Sequence, residues 1–164
     1  MPASLLASSS QVRLADALFA GSRHGDIELH FNKGLAGAPP DAIAAAKDTA
    51  MNPAVLTAFA LAIVANGEGP AYPGIPGHEP DVIKGRAVAK IIDQCVEQLR
   101  AVAGPSGSYV NETNYFETDW QRAFWGDNYA RLAKIKQVYD PAGLFFVHNG
   151  VGSEGWSRDG FTKL

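Results

Sequence analysis

Between Asp81 and Ala103 the chain carries its longest unbroken helical period, and breakers fence it on both sides. Val88, Ile92, Cys95, Leu99 and Val102 recur at three-four spacing with Ile91 alongside, which predicts an amphipathic helix with one buried face. Upstream lies NGEGPAYPGIPGHEP, residues 66–80, too rich in Gly and Pro for a regular element. Downstream, Gly104-Pro105 stops the helix. The fold must therefore be assembled around one long helix and several short pieces.

The short pieces have their own signatures. Val12, Leu14, Leu18 and Phe19 suit a short helix in an otherwise weakly patterned start. In DIELHFNK, residues 26–33, Ile27, Leu29 and Phe31 alternate with polar residues, which predicts a strand with one buried face. Pro39-Pro40 followed by DAIAAAKDTA predicts a short helix. Residues 54–65, AVLTAFALAIVA, read by periodicity as either a buried helix or a buried strand.

The last third begins with Tyr109-Val110 extended into a polar turn. Asp119 is expected to cap a helical turn bearing Trp120, Phe124 and Trp125, which Gly126 breaks. Asp127 is expected to cap a second helix ending near Val138, stopped at Asp140-Pro141. LFFV, residues 144–147, reads as a short strand. Tyr115, Phe116, Trp120, Phe124 and Trp125 suit a small core between two helices.

Composition narrows the chemistry. With 164 residues, 46% of them hydrophobic and 19% charged, the chain can bury a core. A net charge of -3 and scattered basic residues give no electrostatic case for nucleic acid or anionic membrane. The lone cysteine, Cys95, lies on the apolar helix face and is expected to be core, so a disulfide within the chain and a multi-cysteine zinc site are excluded. The four histidines are far apart, and no metal-spaced pair occurs, so no metal is expected. No apolar stretch reaches membrane-spanning length. The opening residues lack the basic and apolar regions of a signal peptide. No GxGxxG follows a strand, and Ser153 lies one position off a nucleophile elbow. Tyr109-x-Asn111 offers a phenol and a carboxamide, groups suited to the polar edge of a flavin or simply to a turn.

From Gly107 to Trp156 the order of elements is specific. Gly-Ser-Tyr-x-Asn-Glu is followed by Tyr-Phe-Glu-x-x-Trp and by Phe-Trp-Gly-x-Asn-Tyr-x-Arg-Leu. Then come Lys-x-x-Tyr-Asp-Pro-x-Gly-Leu-Phe and His-x-Gly-Val-Gly-Ser-Glu-x-Trp. This resembles the carboxy-terminal berberine-bridge-type segment of FAD-linked oxidases of the vanillyl-alcohol-oxidase superfamily, the fungal isoamyl-alcohol-oxidase-like group above all. A weaker likeness covers HFNKGLAGAP and the 48–65 stretch.

The resemblance implies an α+β fold: the remainder of an antiparallel substrate-domain sheet flanked by helices, plus a helical tail. It divides the chain into a poorly patterned segment 1–25, a partial substrate domain 26–105 and a berberine-bridge-type segment 106–164, with 54–65 as a strand. It implies FAD as cofactor, with Tyr109 and Asn111 beside the isoalloxazine and Asn128 in a structural or flavin-facing role. Asn32 and Thr57 become the substrate wall, and Tyr109 the one nameable catalytic group, as a base or orienting phenol. The full enzyme would oxidise an alcohol-type or related small organic substrate, passing hydride to FAD and electrons to oxygen.

In such enzymes, often secreted, the diphosphate-binding loop and the His and Cys that can tether FAD precede this region, and none is present here. The chain is thus expected to be a carboxy-terminal fragment, a truncated gene product, or a subunit that needs a flavin-domain chain or a second copy. The rivals are a non-catalytic binding or interaction module and an unrelated helical protein.

Overall fold

The computed structural model describes residues 1–164. Five α-helices form: α1 Gln11–Ser22, α2 Pro40–Lys47, α3 Val82–Ala103, α4 Trp120–Trp125 and α5 Tyr129–Tyr139. Two strands, β1 Glu28–His30 and β2 Leu61–Ile63, pair antiparallel with Leu29 opposite Ala62. The chain divides into two compact units, Met1–Phe31 with Ala60–Pro105, and Asn32–Phe59 with Ser106–Leu164. Segment 32–59 thus groups with the tail rather than with the residues on either side of it. No helix is long and apolar enough to cross a membrane.

The first unit is built on α1 against α3. Asp81 accepts a hydrogen bond from the Lys84 amide at 2.9 Å, opening α3, and Gly104 closes it at a φ of 68°. Cys95 is fully buried and Leu99 is 5% exposed, matching Leu14 and Ala17 on α1. Gly21 lets the helices approach, since a Cβ there would lie 3.3 Å from the Cys95 carbonyl and 2.9 Å from Ile27. Burial pushes the Cys95 thiol up, in keeping with its place in the core.

Both units depart from the sequence expectations. Residues 54–65 do not form one strand. Asn52 accepts from the Ala54 amide at 3.0 Å and Pro53 fixes its own φ, so Pro53–Thr57 winds as a 3-10 helix and only Leu61–Ile63 pairs as β2. Thr57 therefore ends a 3-10 helix. The strand expected over 26–33 is confined to Glu28–His30, and Phe31–Lys33 turns as a 3-10 helix.

LFFV is not a strand. The Asp140 carboxylate accepts from the Leu144 and Phe145 amides at 2.8 and 3.0 Å, which curls the segment back on the end of α5. Asp119 and Asp127 do not cap their helices through their side chains. Asp119 instead accepts from Arg122 at 2.7 Å, and Asp127 lies within a 3-10 turn, Gly126–Asn128, that leads into α5. Of the expected aromatic core only Phe124 is buried, while Tyr115 and Phe116 stay more than half exposed.

Candidate functional site

All five site residues singled out by sequence, Asn32, Thr57, Tyr109, Asn111 and Asn128, lie in the second unit. Two of them meet directly. The Asn111 Nδ2 donates to the Tyr109 hydroxyl at 2.9 Å, and both side chains are exposed. Because the phenol oxygen accepts this bond, its own proton remains to be donated outward. A third residue, which sequence reasoning missed, completes the group. The Lys33 ammonium stands 4.9 Å from the centroid of the Tyr109 ring, over its face.

The segment bearing Tyr109 is fixed from below by Asn52. Its Nδ2 donates to the Ala123 carbonyl at 2.8 Å, and the Ser108 amide donates to that same oxygen at 2.6 Å. Gly107 lies so close to the Asn52 carboxamide that a Cβ there would come within 2.5 Å of it. The sequence singled out no site role for Asn52. The signal that could have found it is the glycine at 107, a position where backbone and side chain crowd each other.

Asn128 belongs to the same scaffold. Its Nδ2 donates to the Met51 carbonyl at 2.7 Å and to the Thr49 carbonyl at 3.3 Å, and Arg131 donates to Thr49 at 2.7 Å. The start of α5 is thereby riveted to residues 49–51. Asn32 and Thr57 are exposed, and neither is hydrogen-bonded to the Tyr109 pair.

The residues suit one end of a flavin and not the other. An exposed phenol, a carboxamide and an ammonium can serve the polar edge of an isoalloxazine. A diphosphate would need convergent free amides, usually at a helix start or a glycine-rich turn. In the glycine run Gly150 to Gly155, four amides are already used within the chain. Gly150 donates to Val147, Ser153 to Gly150, Gly155 to Gly152, and Gly152 to the Tyr129 hydroxyl. Thr113 Oγ1 and Trp125 Nε1 lack hydrogen-bond partners, but both are sealed inside the chain. No cluster of His, Cys, Asp or Glu is arranged to hold a metal ion.

Comparison with known proteins bears on this geometry. The family model for berberine and berberine-like proteins matches residues 108–152. A VAO-type flavoprotein oxidase of Thermothelomyces thermophilus is 43% identical over 72 residues, which are 43% of this chain and 12% of the relative. An FAD-linked oxidoreductase of an Aspergillus species is 35% identical over 120 residues, 71% of this chain and 18% of the relative. The crystal structure of a VAO-type flavoprotein from Myceliophthora thermophila C1 superposes with a TM-score of 0.73 at 26% identity, covering 96% of this chain and 27% of that one. The chain thus spans only an eighth to a quarter of the proteins it matches.

Proposed function

Because this chain belongs to the vanillyl-alcohol-oxidase/berberine superfamily of FAD-linked oxidoreductases, we propose that it supplies the Tyr109–Asn111 edge of a flavin site. It would act as the carboxy-terminal portion of an FAD-dependent oxidase of alcohol-type or related small organic substrates. The observation that carries this reading is the Asn111 bond to the Tyr109 hydroxyl. It leaves an oriented phenol at the surface, in the tail whose motif order defines the resemblance.

Bound flavin would take the hydride and pass the electrons on to oxygen. The chain's own residues would do the rest. Tyr109 orients the substrate hydroxyl or takes its proton, and Asn111 holds the phenol. Asn128 acts from behind, since its amide is spent on Thr49 and Met51. Asn32 and Thr57 remain the candidates for the substrate wall, carried on the 3-10 turns Phe31–Lys33 and Pro53–Thr57. The diphosphate would be held by residues outside this chain, from a flavin-domain chain or a second copy. Neither nucleic acid nor a membrane belongs in this scheme. The rival reading, a non-catalytic module that keeps the fold, draws on the same lack of a phosphate cradle.

The test separates the two ends of the cofactor. Riboflavin, which has the ring without the diphosphate, should shift the amide resonances of Tyr109 and Asn111 on weak binding, and FAD should bind no more tightly. Tyr109→Phe and Asn111→Leu should each weaken both ligands. Riboflavin binding that ignores both substitutions, or no perturbation of the 109–111 segment at all, would sink the assignment. FAD binding far tighter than riboflavin would show that a diphosphate site exists after all.

A further inference from the structure

We propose that Lys33 is a positioning residue of the Tyr109 site, holding the ring by its face and placing a fixed positive charge beside the phenol. Nothing in the sequence motifs points to it, and it sits 76 positions from Tyr109 along the chain.

An exposed lysine is usually a mobile, solvated charge, so the placement has to be explained by its surroundings. Here the backbone on both sides of the contact is built to fix it. Next to Lys33, Gly34 runs so close to the Ala58 carbonyl that a Cβ would overlap it at 2.2 Å. Leu35 donates to the Val55 carbonyl and Ala36 to the Ala58 carbonyl, each at 2.9 Å. Two residues before Tyr109, Gly107 is pressed on the Asn52 carboxamide, and the Ser108 amide is bonded to Ala123. Two glycines required by close approach thus stand within two residues of the two partners. Both sets of partners lie in one compact unit.

The chemistry follows from the geometry. A cation over an aromatic face is attracted by the ring's negative face. It also draws electron density from the ring, which makes the phenol O–H a better donor. Asn111 acts in the same sense, by donating to that oxygen. Lys33 and Asn111 therefore approach Tyr109 from two directions with one effect. The remaining polar side chain of the expected substrate wall on the 54–65 stretch, Thr57, is uncharged. The charge at the site is then positive, and the substrate group it suits is an electron-rich oxygen, a hydroxyl or a carboxylate, facing the phenol. That functional meaning rests on the flavin-site reading, whereas the contact itself does not.

The experiment uses the full chain with isotope-labelled tyrosine, the Tyr109 resonance being identified by its loss in Tyr109→Phe. Lys33→Met should shift the Tyr109 ring resonance and leave those of Tyr72, Tyr115, Tyr129 and Tyr139 in place, which also reports an intact fold. Lys33→Arg should restore the wild-type position. Riboflavin affinity should fall roughly two- to five-fold in Lys33→Met, the loss expected of an exposed cation–π contact. An unmoved Tyr109 resonance in Lys33→Met would overturn the proposal. A resonance that moves with Lys33→Met but not with riboflavin would uphold the contact and remove the flavin reading. Should Lys33→Met disturb all five tyrosines, Lys33→Gln decides by the same resonance.

Discussion

At Tyr129 a phenol is held between a carboxylate and a backbone amide. Its hydroxyl donates to both Glu154 oxygens, at 2.5 and 2.6 Å, and accepts from the Gly152 amide at 3.2 Å. Its ring meets that of Trp120 edge to face at 5.6 Å. Burial first, then the Glu154 bond, pushes its pKa up from 10.0 to about 12, partly offset by Gly152. A raised folded-state value means that the contribution to stability is complete below the unfolded value near 10 and is lost as pH rises towards 12. One of the five tyrosines should therefore ionise late in an ultraviolet titration, and that step should vanish in Tyr129→Phe. An identical titration curve for the two proteins would remove the Glu154 clamp from the account. Sequence placed Tyr129 in the helix expected after Asp127 but gave no sign of Glu154, 25 positions away.

Among the elements, the junction of the 49–54 segment with α4 and the segment before Tyr109 is closely specified. Asn52 joins the Ala54 amide to the Ala123 carbonyl, with a longer bond to Arg122 at 3.3 Å. Gly107 and Gly126 both face its carboxamide, and a Cβ on Gly126, whose φ is 53°, would lie 3.1 Å from it. Asn52→Ala should cost about 1–3 kcal/mol by leaving backbone groups unpaired. For a chain of this size that lowers Tm by roughly 2–4 °C per kcal/mol. Gly107→Ala should be worse, because its new Cβ collides with the carboxamide. The double variant should then be less destabilised than the sum of the two, since removing Asn52 clears the space. Thermal melts of the four proteins decide it, and strict additivity would show that the clash is with something else.

For the whole molecule, surface is the decisive quantity. Only seven apolar residues are buried, whereas Leu144, Phe145 and Val147 are 79%, 74% and 69% exposed. Isolated apolar residues at a surface are ordinary, but a run of them is not. The chain by itself should therefore bind an apolar dye strongly. Phe145→Glu with Val147→Lys should reduce that binding with little effect on Tm, because both side chains are largely exposed. A chain that binds no dye would contradict the expectation that a further protein surface belongs against this one.

The α3 period and its Gly104 stop, the helix after Pro39-Pro40, the core place of Cys95 and the motif order from Gly107 to Trp156 were legible in the sequence alone. Each is a local matter, set by side-chain spacing, by a proline or glycine, or by residues close along the chain. The tertiary structure alone decided that residues 53–57 coil before β2, that residues 144–147 curl on Asp140, that Asn52 clamps Gly107, and that Lys33 stands over Tyr109. The last two rest on contacts between residues distant in sequence, and the first two on short-range side-chain bonds of Asn52 and Asp140. Loop closure and close backbone approach govern them, and neither leaves a periodic trace. The family was therefore written in the one-dimensional pattern, while the grouping of charge and phenol at the candidate site was not.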